Sequence, residues 1–113
     1  MEKLVVVNLF DIKPGKQGMY AEYLRRVQAI LARHGARVVV YGQLRRVFWG
    51  DQSQQFCGLI EYPSFKKLRS FSQDPEFLEI RKLRDEATEN YLMTAIEPFP
   101  ELSDAVEYLS VQA

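Results

Sequence analysis

The pattern of apolar positions begins at residues 3–10, where three consecutive valines follow Leu4. Valine is branched at Cβ and favours an extended backbone, so this segment predicts a β-strand. Alternate side chains of a strand face opposite ways. One face carries Leu4, Val6 and Asn8, and the other carries Val5, Val7 and Leu9. Because both faces are largely apolar, we expect both of them to be covered.

A helix is predicted over residues 17–34. Apolar side chains recur there at intervals of three and four positions, at Tyr20, Tyr23, Leu24, Val27, Ile30 and Leu31. Polar residues occupy the opposite side of the same helix. Gly35 is the expected stop, because glycine adopts left-handed backbone without a steric cost.

The remaining periodic segments predict three more strands and three more helices. The strands are expected at residues 37–48, 55–62 and 90–97, and the helices at residues 63–71, 75–88 and 101–109.

Turn and cap residues sharpen these boundaries. Asp74 and Ser103 are each placed to cap the N-terminus of one of the two later helices, and Pro63 or Ser64 starts the helix before them. Gly42 and Gly58 lie inside two of the strands. Gly42 indicates a bulge or a close backbone approach, and the two glycines together either leave room for a ligand over the sheet or mark sites of bending.

The order of the elements is β-α-β-β-α-β, with the second helix broken in two. This order predicts an α+β fold of the ferredoxin-like kind, with helices on one face of a four-stranded antiparallel sheet. Residues 1–97 form this domain, and residues 98–113 form a tail with a short helix. Since the second sheet face is also apolar, we expect a homodimer that buries it against the same face of a second copy.

Charge is balanced overall but uneven along the chain. Lys plus Arg and Asp plus Glu number 15 each, so no net field attracts nucleic acid or an anionic membrane. Residues 1–50 nevertheless carry nine basic and three acidic side chains, and residues 51–113 carry six and twelve. Either these are two solvated surfaces of opposite sign, or they are complementary surfaces between subunits.

The single cysteine, Cys57, excludes an internal disulfide. No stretch has the length and apolarity of a membrane span, and the N-terminus does not resemble a secretory signal. The expected location is therefore the cytoplasm.

Five residues are candidates for a pocket between sheet and helices. His34 is suited to proton transfer, or it only caps the end of its helix. Asn8 is suited to binding a substrate carbonyl or oxyanion, or it only bonds to neighbouring backbone. Arg84 is suited to binding an anionic group, or its stem only packs on the core. Tyr23 and Tyr41 are expected to contact the ligand. No metal site and no bound cofactor are predicted.

Three local motifs carry a resemblance to a known family. They are Tyr20-Ala-Glu-Tyr23 leading to His34-Gly35, Leu59-Ile-Glu-Tyr-Pro-Ser64, and Asp74-Pro-Glu-Phe77 followed by Arg84. In combination they resemble a domain-of-unknown-function family of small bacterial proteins. That family lies in the dimeric α/β-barrel superfamily, related to antibiotic-biosynthesis-type monooxygenases. The resemblance covers residues 2–97, implies a dimer, and implies no particular reaction.

Three functions follow from these observations. The first is a small dimeric protein that binds or transforms a small organic ligand, which carries an anionic group if Arg84 contacts it. As an enzyme it would be a cofactor-independent monooxygenase or an isomerase. Asn8 and Trp49 also match part of the haem-degrading pattern, but His34 ends the first helix instead of lying on the later one, which argues against haem.

The second function is RNA binding, because RNA-recognition modules share this element order. Val5 stands where their first-strand motif has an aromatic residue, and residues 54–62 lack the paired aromatics of the third strand. The third function is a non-enzymatic structural or stress-associated dimer. The sequence alone leaves the first and third functions open.

Overall fold

A computed structural model describes residues 3–112 as a four-stranded antiparallel sheet with strand order β2-β3-β1-β4. The strands are β1 (Leu4–Ile12), β2 (Arg37–Gln43), β3 (Phe56–Tyr62) and β4 (Thr88–Ile96). The helices are α1 (Gln17–Arg33), α2 (Phe65–Ser72), α3 (Pro75–Ala87) and α4 (Leu102–Gln112). The α+β, ferredoxin-like prediction is confirmed.

The core lies between one sheet face, here called the inner face, and helices α1 to α3. Val6, Asn8 and Phe10 of β1 are buried on this face, as the alternation predicts. The apolar stripe of α1 packs against them through Tyr20, Tyr23, Val27, Ile30 and Leu31. The helices α2 and α3 add Phe71, Phe77, Ile80 and Ala87 to the same cluster.

Local capping explains where the helices begin. The Ser64 hydroxyl accepts a hydrogen bond from the Lys67 amide at 3.1 Å and caps α2, which begins at Phe65. The Asp74 carboxylate accepts one from the Glu76 amide at 2.9 Å, with Pro75 at the first helical position of α3. The predicted cap at Asp74 is confirmed, and the predicted start of α2 at Pro63 or Ser64 agrees with the cap at Ser64. The predicted cap of α4 at Ser103 is wrong, because α4 begins at Leu102 and Ser103 lies inside it. At this end the Asp104 carboxylate accepts a hydrogen bond from the Glu101 amide.

Gly35 ends α1 with a left-handed φ of +75°, and a Cβ added there would lie 3.1 Å from Cγ of Pro63. We expect Gly35→Ala to lower the free energy of unfolding by about 1–2 kcal/mol, because an L-residue is strained in this conformation. Gly18→Ala is the matched control: it lies in α1 with open space around it, and we expect it to raise stability by up to about 1 kcal/mol. Urea denaturation checks both values, and an unchanged Gly35→Ala midpoint would contradict the assignment.

Strand β2 differs from its predicted form in two respects. It ends at Gln43, five residues before the predicted end, because residues 44–55 leave the sheet as a loop. The register with β3 shifts between Val38 and Val40, so the bulge lies at Val39. The alternative that Gly42 marks a bulge or a close approach is wrong, since Gly42 pairs with Cys57 in regular register and nothing lies within 4 Å of a Cβ built there.

The opposite sheet face, here called the outer face, is not covered by α1, α2 or α3, whose core residues pack on the inner face. Directly opposed residues of antiparallel strands point to the same side. Val5, Val7 and Leu9 of β1 therefore share this face with apolar residues of the other strands, namely Val40, Cys57, Leu59, Leu92 and Ile96. None of them joins the core cluster. One corner is polar, where Glu61 pairs with Lys3 and Arg37.

Candidate functional site

A cavity of about 320 Å³ lies between the inner face and helices α1 to α3 and is here called the sheet–helix cavity. Most of its lining is apolar or aromatic. Five of the six tyrosines of the chain line it, Tyr20, Tyr23, Tyr41, Tyr62 and Tyr91. An engineered cavity of about 150 Å³ holds benzene, so this space is large enough for a ligand with two rings.

Four of the five candidate residues line this cavity, namely Asn8, Tyr23, Tyr41 and Arg84. They come from β1, α1, β2 and α3, elements that are far apart along the chain. Sheet pairing and helix packing therefore bring together side chains that the sequence separates by up to 76 positions (84 − 8). Their contact with a ligand stays a prediction.

The prediction that His34 lines the cavity is wrong. His34 follows the last residue of α1, and its Nε2 lies 2.7 Å from Oδ2 of Asp74, the cap of α3. Arg33 donates to the same carboxylate oxygen at 2.8 Å, and the edge of the His34 ring meets Phe71. His34 thus joins the end of α1 to the start of α3, beside the cavity wall instead of inside it.

Asp74 makes the joint between α1 and α3 sensitive to acid. Hydrogen bonds from Arg33 and His34 hold the pKa of the Asp74 carboxyl well below its usual 3.8. Its stabilising effect is therefore complete above pH 3.8 and is lost as the pH falls through the lowered pKa. We expect the stability difference between wild type and Asp74→Asn, measured by urea denaturation, to shrink below pH 3.8. A difference that stays constant down to pH 2 would contradict this account.

Asn8 is a buried amide at the floor of the cavity. Its Nδ2 donates to the Gly58 carbonyl at 3.2 Å, and the Tyr91 hydroxyl donates to its Oδ1 at 2.9 Å. These bonds satisfy the amide in part, and they also fix its orientation. One N–H of Nδ2 and one lone pair of Oδ1 have capacity left for a ligand.

Arg84 is the single charged side chain among the described residues that line the cavity. Its side chain is only 14% exposed. The guanidinium lies 5.4 Å from the Tyr91 ring centre and 5.8 Å from that of Phe77. Its Nε and Nη2 donate to one oxygen of the exposed Asp85 carboxylate. Burial alone would lower the pKa of Arg84, but Tyr23, Tyr91 and Asp85 outweigh burial and raise it, so the group stays charged.

The tyrosines of the cavity stay protonated at neutral pH. Burial raises the pKa of Tyr41 to about 12 and raises that of Tyr20 further, and the two hydroxyls share a hydrogen bond. Burial also raises the pKa of Tyr23, with the Arg84 guanidinium acting in the opposite direction. The cavity therefore offers phenol hydroxyls as hydrogen-bond donors, not as bases.

The Tyr41 ring packs directly against Gly58 and leaves no space for a side chain at that position. A Cβ built on Gly58 would overlap this ring, which lies across the strand on the inner face. The glycine therefore makes room for a side chain of the neighbouring strand and not for a ligand, a role that was not predicted from the sequence. The ring itself fills the space over Gly58, and the ligand-sized space lies beside it.

Sequence reasoning missed Tyr20, Tyr62 and Tyr91 as lining residues. Tyr20 was assigned to the core stripe of α1, and it does pack on Phe10 at a ring-centre distance of 5.2 Å. The available signal was the repeated placing of tyrosine, in place of Phe or Leu, at inward positions of four elements. A buried phenol needs a partner for its hydroxyl, so several of them on one face indicate a polar-edged space.

The chemistry of the lining suits binding better than proton transfer. Within the described residues, no carboxylate or imidazole lines the cavity. Residues 3–112 likewise hold no group of three or more His, Cys, Asp or Glu side chains arranged for a metal ion. What the lining provides is one fixed cation, one oriented amide and several phenol donors around an apolar space.

A family model matches residues 5–98, which is most of the chain and includes every element of the sheet. The chain belongs to the family described as domain of unknown function DUF1330. The resemblance inferred from the three motifs is thereby confirmed. No curated protein matches the chain.

Solved structures share the fold of this DUF1330 protein. A protein of unknown function from Rhodopseudomonas palustris is 24% identical, with a TM-score of 0.81 over 88% of this chain and 85% of that one. A dimeric ferredoxin-like protein of unknown function from Jannaschia is 11% identical, with a TM-score of 0.71 over 85% and 99%. SnoaB, a cofactor-independent oxygenase from Streptomyces nogalater, is 16% identical, with a TM-score of 0.66 over 90% and 98%.

One further structural observation concerns membranes. Within residues 3–112, no helix combines the length and the apolarity needed to span a bilayer.

Proposed function

We propose that this DUF1330 protein is a homodimer that binds a small aromatic monoanion in the sheet–helix cavity. The observation that carries the proposal is Arg84, a largely buried cation in a cavity that is otherwise apolar and aromatic. A buried charge is costly unless a partner of opposite sign compensates it. Asp85 compensates Arg84 only from the exposed side, so an anion inside the cavity would complete its pairing.

The aromatic part of the ligand follows from the walls. Five tyrosines together with Phe71 and Phe77 line the cavity, and flat rings pack well against such walls. A carboxylate at Arg84 would receive two parallel N–H bonds from the guanidinium. Tyr23 on α1 and Tyr41 on β2 would donate hydrogen bonds to the ligand, and Asn8 on β1 would bind a second polar group.

The dimer is supported by the outer face. Its apolar residues span all four strands, and an exposed apolar face of this extent marks an interaction surface. Ferredoxin-like proteins of the same fold from Jannaschia and Bacteroides fragilis are described as dimeric. A second copy that presents the same face is the simplest cover, because such an interface is self-complementary.

Catalysis of an oxygenation without a cofactor is a second candidate. The likeness in fold to SnoaB favours it, and Asn8 is an oriented buried amide that could stabilise an oxyanion of the substrate. The absence of a carboxylate or imidazole in the described lining favours binding alone. A structural dimer with no ligand is the third candidate.

Native mass spectrometry of the gently purified protein tests the dimer and the ligand together. We expect twice the chain mass of 13.2 kDa, plus a small organic mass on each subunit. The defined probe is 2-naphthoate, with its methyl ester as the neutral control and 2-(aminomethyl)naphthalene as the cationic control. Binding of the naphthoate alone supports the proposal. Equal binding of all three, or of none, contradicts an anion site.

A further inference from the structure

Two exposed surfaces of this chain have opposite charge and matching apolar character. The first is the basic loop, residues 44–49, which contains Arg45 and Arg46 between Leu44 and the apolar run Val47, Phe48 and Trp49. Phe48 and Trp49 are 92% and 98% exposed, and neither arginine forms an ion pair within residues 3–112. Solvent-facing aromatic residues beside unpaired arginines are typical of a binding surface.

The second surface is α4. Leu102, Val106 and Leu109 lie on one side of this helix at the spacing of an apolar stripe, and all three are 63–86% exposed. Residues 97–113 carry four acidic side chains and no basic one, the acidic residues being Glu97, Glu101, Asp104 and Glu107. The stripe thus belongs to an acidic helix that packs its apolar side on nothing within the described chain.

Within one chain the two surfaces are held apart. The two surfaces lie at opposite ends of β1. The basic loop leads into Phe56, which pairs with Phe10 near one end of β1. Helix α4 follows Ile96, which pairs with Val5 near the other end. These ends of β1 are five residues apart, which is about 17 Å. The base of the loop is also fixed, because the Gln55 amide and the Asn90 side chain both donate to the Asp11 carboxylate.

We infer that the basic loop of one copy docks on the acidic α4 of a second copy. Phe48 and Trp49 would cover the stripe of Leu102, Val106 and Leu109, and the two arginines would face Glu101 and Glu107. In a twofold dimer the contact would form twice. This inference rests on the homodimer of the proposed function but is independent of any ligand.

Reversal of charge on each surface tests the contact. One variant is Arg45→Glu with Arg46→Glu, and the other is Glu101→Lys with Glu107→Lys. We expect each to raise the dimer dissociation constant at least about tenfold, because like charges then face each other twice. The matched control for the arginine variant is Lys66→Glu with Lys67→Glu on α2, which lowers the net charge by the same four units on a surface outside the contact. Far-UV circular dichroism verifies that all variants are folded.

Mixing the two variants gives the sharper result. In the mixed dimer the acidic loop of the first variant faces the lysines on α4 of the second. The wild-type basic loop of the second variant faces the wild-type acidic α4 of the first, so both contacts pair opposite charges. We expect native mass spectrometry to detect mostly the mixed dimer, with a dissociation constant close to that of the wild type. The inference would be overturned if the mixed dimer formed only in the proportion expected from random pairing of subunits. It would also be overturned if each charge-reversal variant had the same dissociation constant as the control. Either result would leave the ligand proposal intact.

Trp49 provides an independent readout, because it is the one tryptophan of the sequence. Its emission should shift to shorter wavelength as the wild type dimerises, and it should not shift in Arg45→Glu/Arg46→Glu at matched concentrations. A dimer whose Trp49 still emits as a fully solvated indole would overturn the contact. A wild type that is monomeric at all concentrations would overturn the contact together with the dimer.

Discussion

Replacement of Arg84 by glutamine is expected to weaken the binding of 2-naphthoate at least about 30-fold, because a buried charge-assisted pair contributes more than about 2 kcal/mol. The guanidinium is the single cation among the described lining residues, so no neighbour can substitute for it. Isothermal titration calorimetry gives the affinity directly. Arg84→Lys should retain part of the binding, since it keeps the charge but loses the two parallel donors.

Arg81→Gln is the matched control for this measurement. Arg81 lies on the same helix and pairs with the same Asp85 carboxylate, but it is half exposed and does not line the cavity. Its replacement should leave affinity within about twofold of the wild type, as expected for a solvent-exposed pair. Unchanged binding in Arg84→Gln, with an unchanged melting temperature, would contradict the anion site.

Replacement of Val7 by lysine is expected to raise the dimer dissociation constant at least about 1,000-fold, because burial of an unpaired ammonium costs several kcal/mol. Val7 lies at the centre of the outer face, opposite Leu59 on one side and Thr94 on the other. The single chain should remain folded, since this side chain does not join the core cluster. Sedimentation equilibrium measures the association.

Ala29→Lys serves as the control for Val7→Lys. Ala29 is exposed on the solvent side of α1, so an added ammonium there meets water in any dimer that uses the outer face. We expect this variant to associate as the wild type does. If Val7→Lys also associates as the wild type does, the outer face is not the interface.

The elements of this protein are encoded locally to a large extent. The apolar period of α1, its glycine stop at Gly35 and the cap at Asp74 each depend on residues within a few positions, and each is confirmed. The order of these elements then restricts the fold to a small number of arrangements. The predicted end of β2 is wrong. Residues 44–48 carry side chains typical of a strand, but they belong to no strand of the sheet.

The site depends on distant parts of the chain, and this is why only part of it was predicted. Asn8 and Arg84 were identified because a polar residue interrupts an otherwise apolar pattern. Tyr20, Tyr62 and Tyr91 fit that pattern as ordinary core residues, so nothing local distinguished them. The cavity position predicted for His34 is wrong because it relied on the helical spacing of α1, which places His34 in line with the core stripe. Asp74, which lies 40 residues later in the chain, instead holds the His34 ring at the junction of α1 and α3.

By itself the sequence determined the strands, the helices, their order and the double-sided apolar character of the sheet, because these depend on periodicity and caps that act over a few residues. The tertiary structure alone decided which side chains share the sheet–helix cavity, that the Tyr41 ring occupies the space over Gly58, and that Arg84 is the cation of that cavity. Those facts depend on strand register and helix packing, which join residues far apart in the chain.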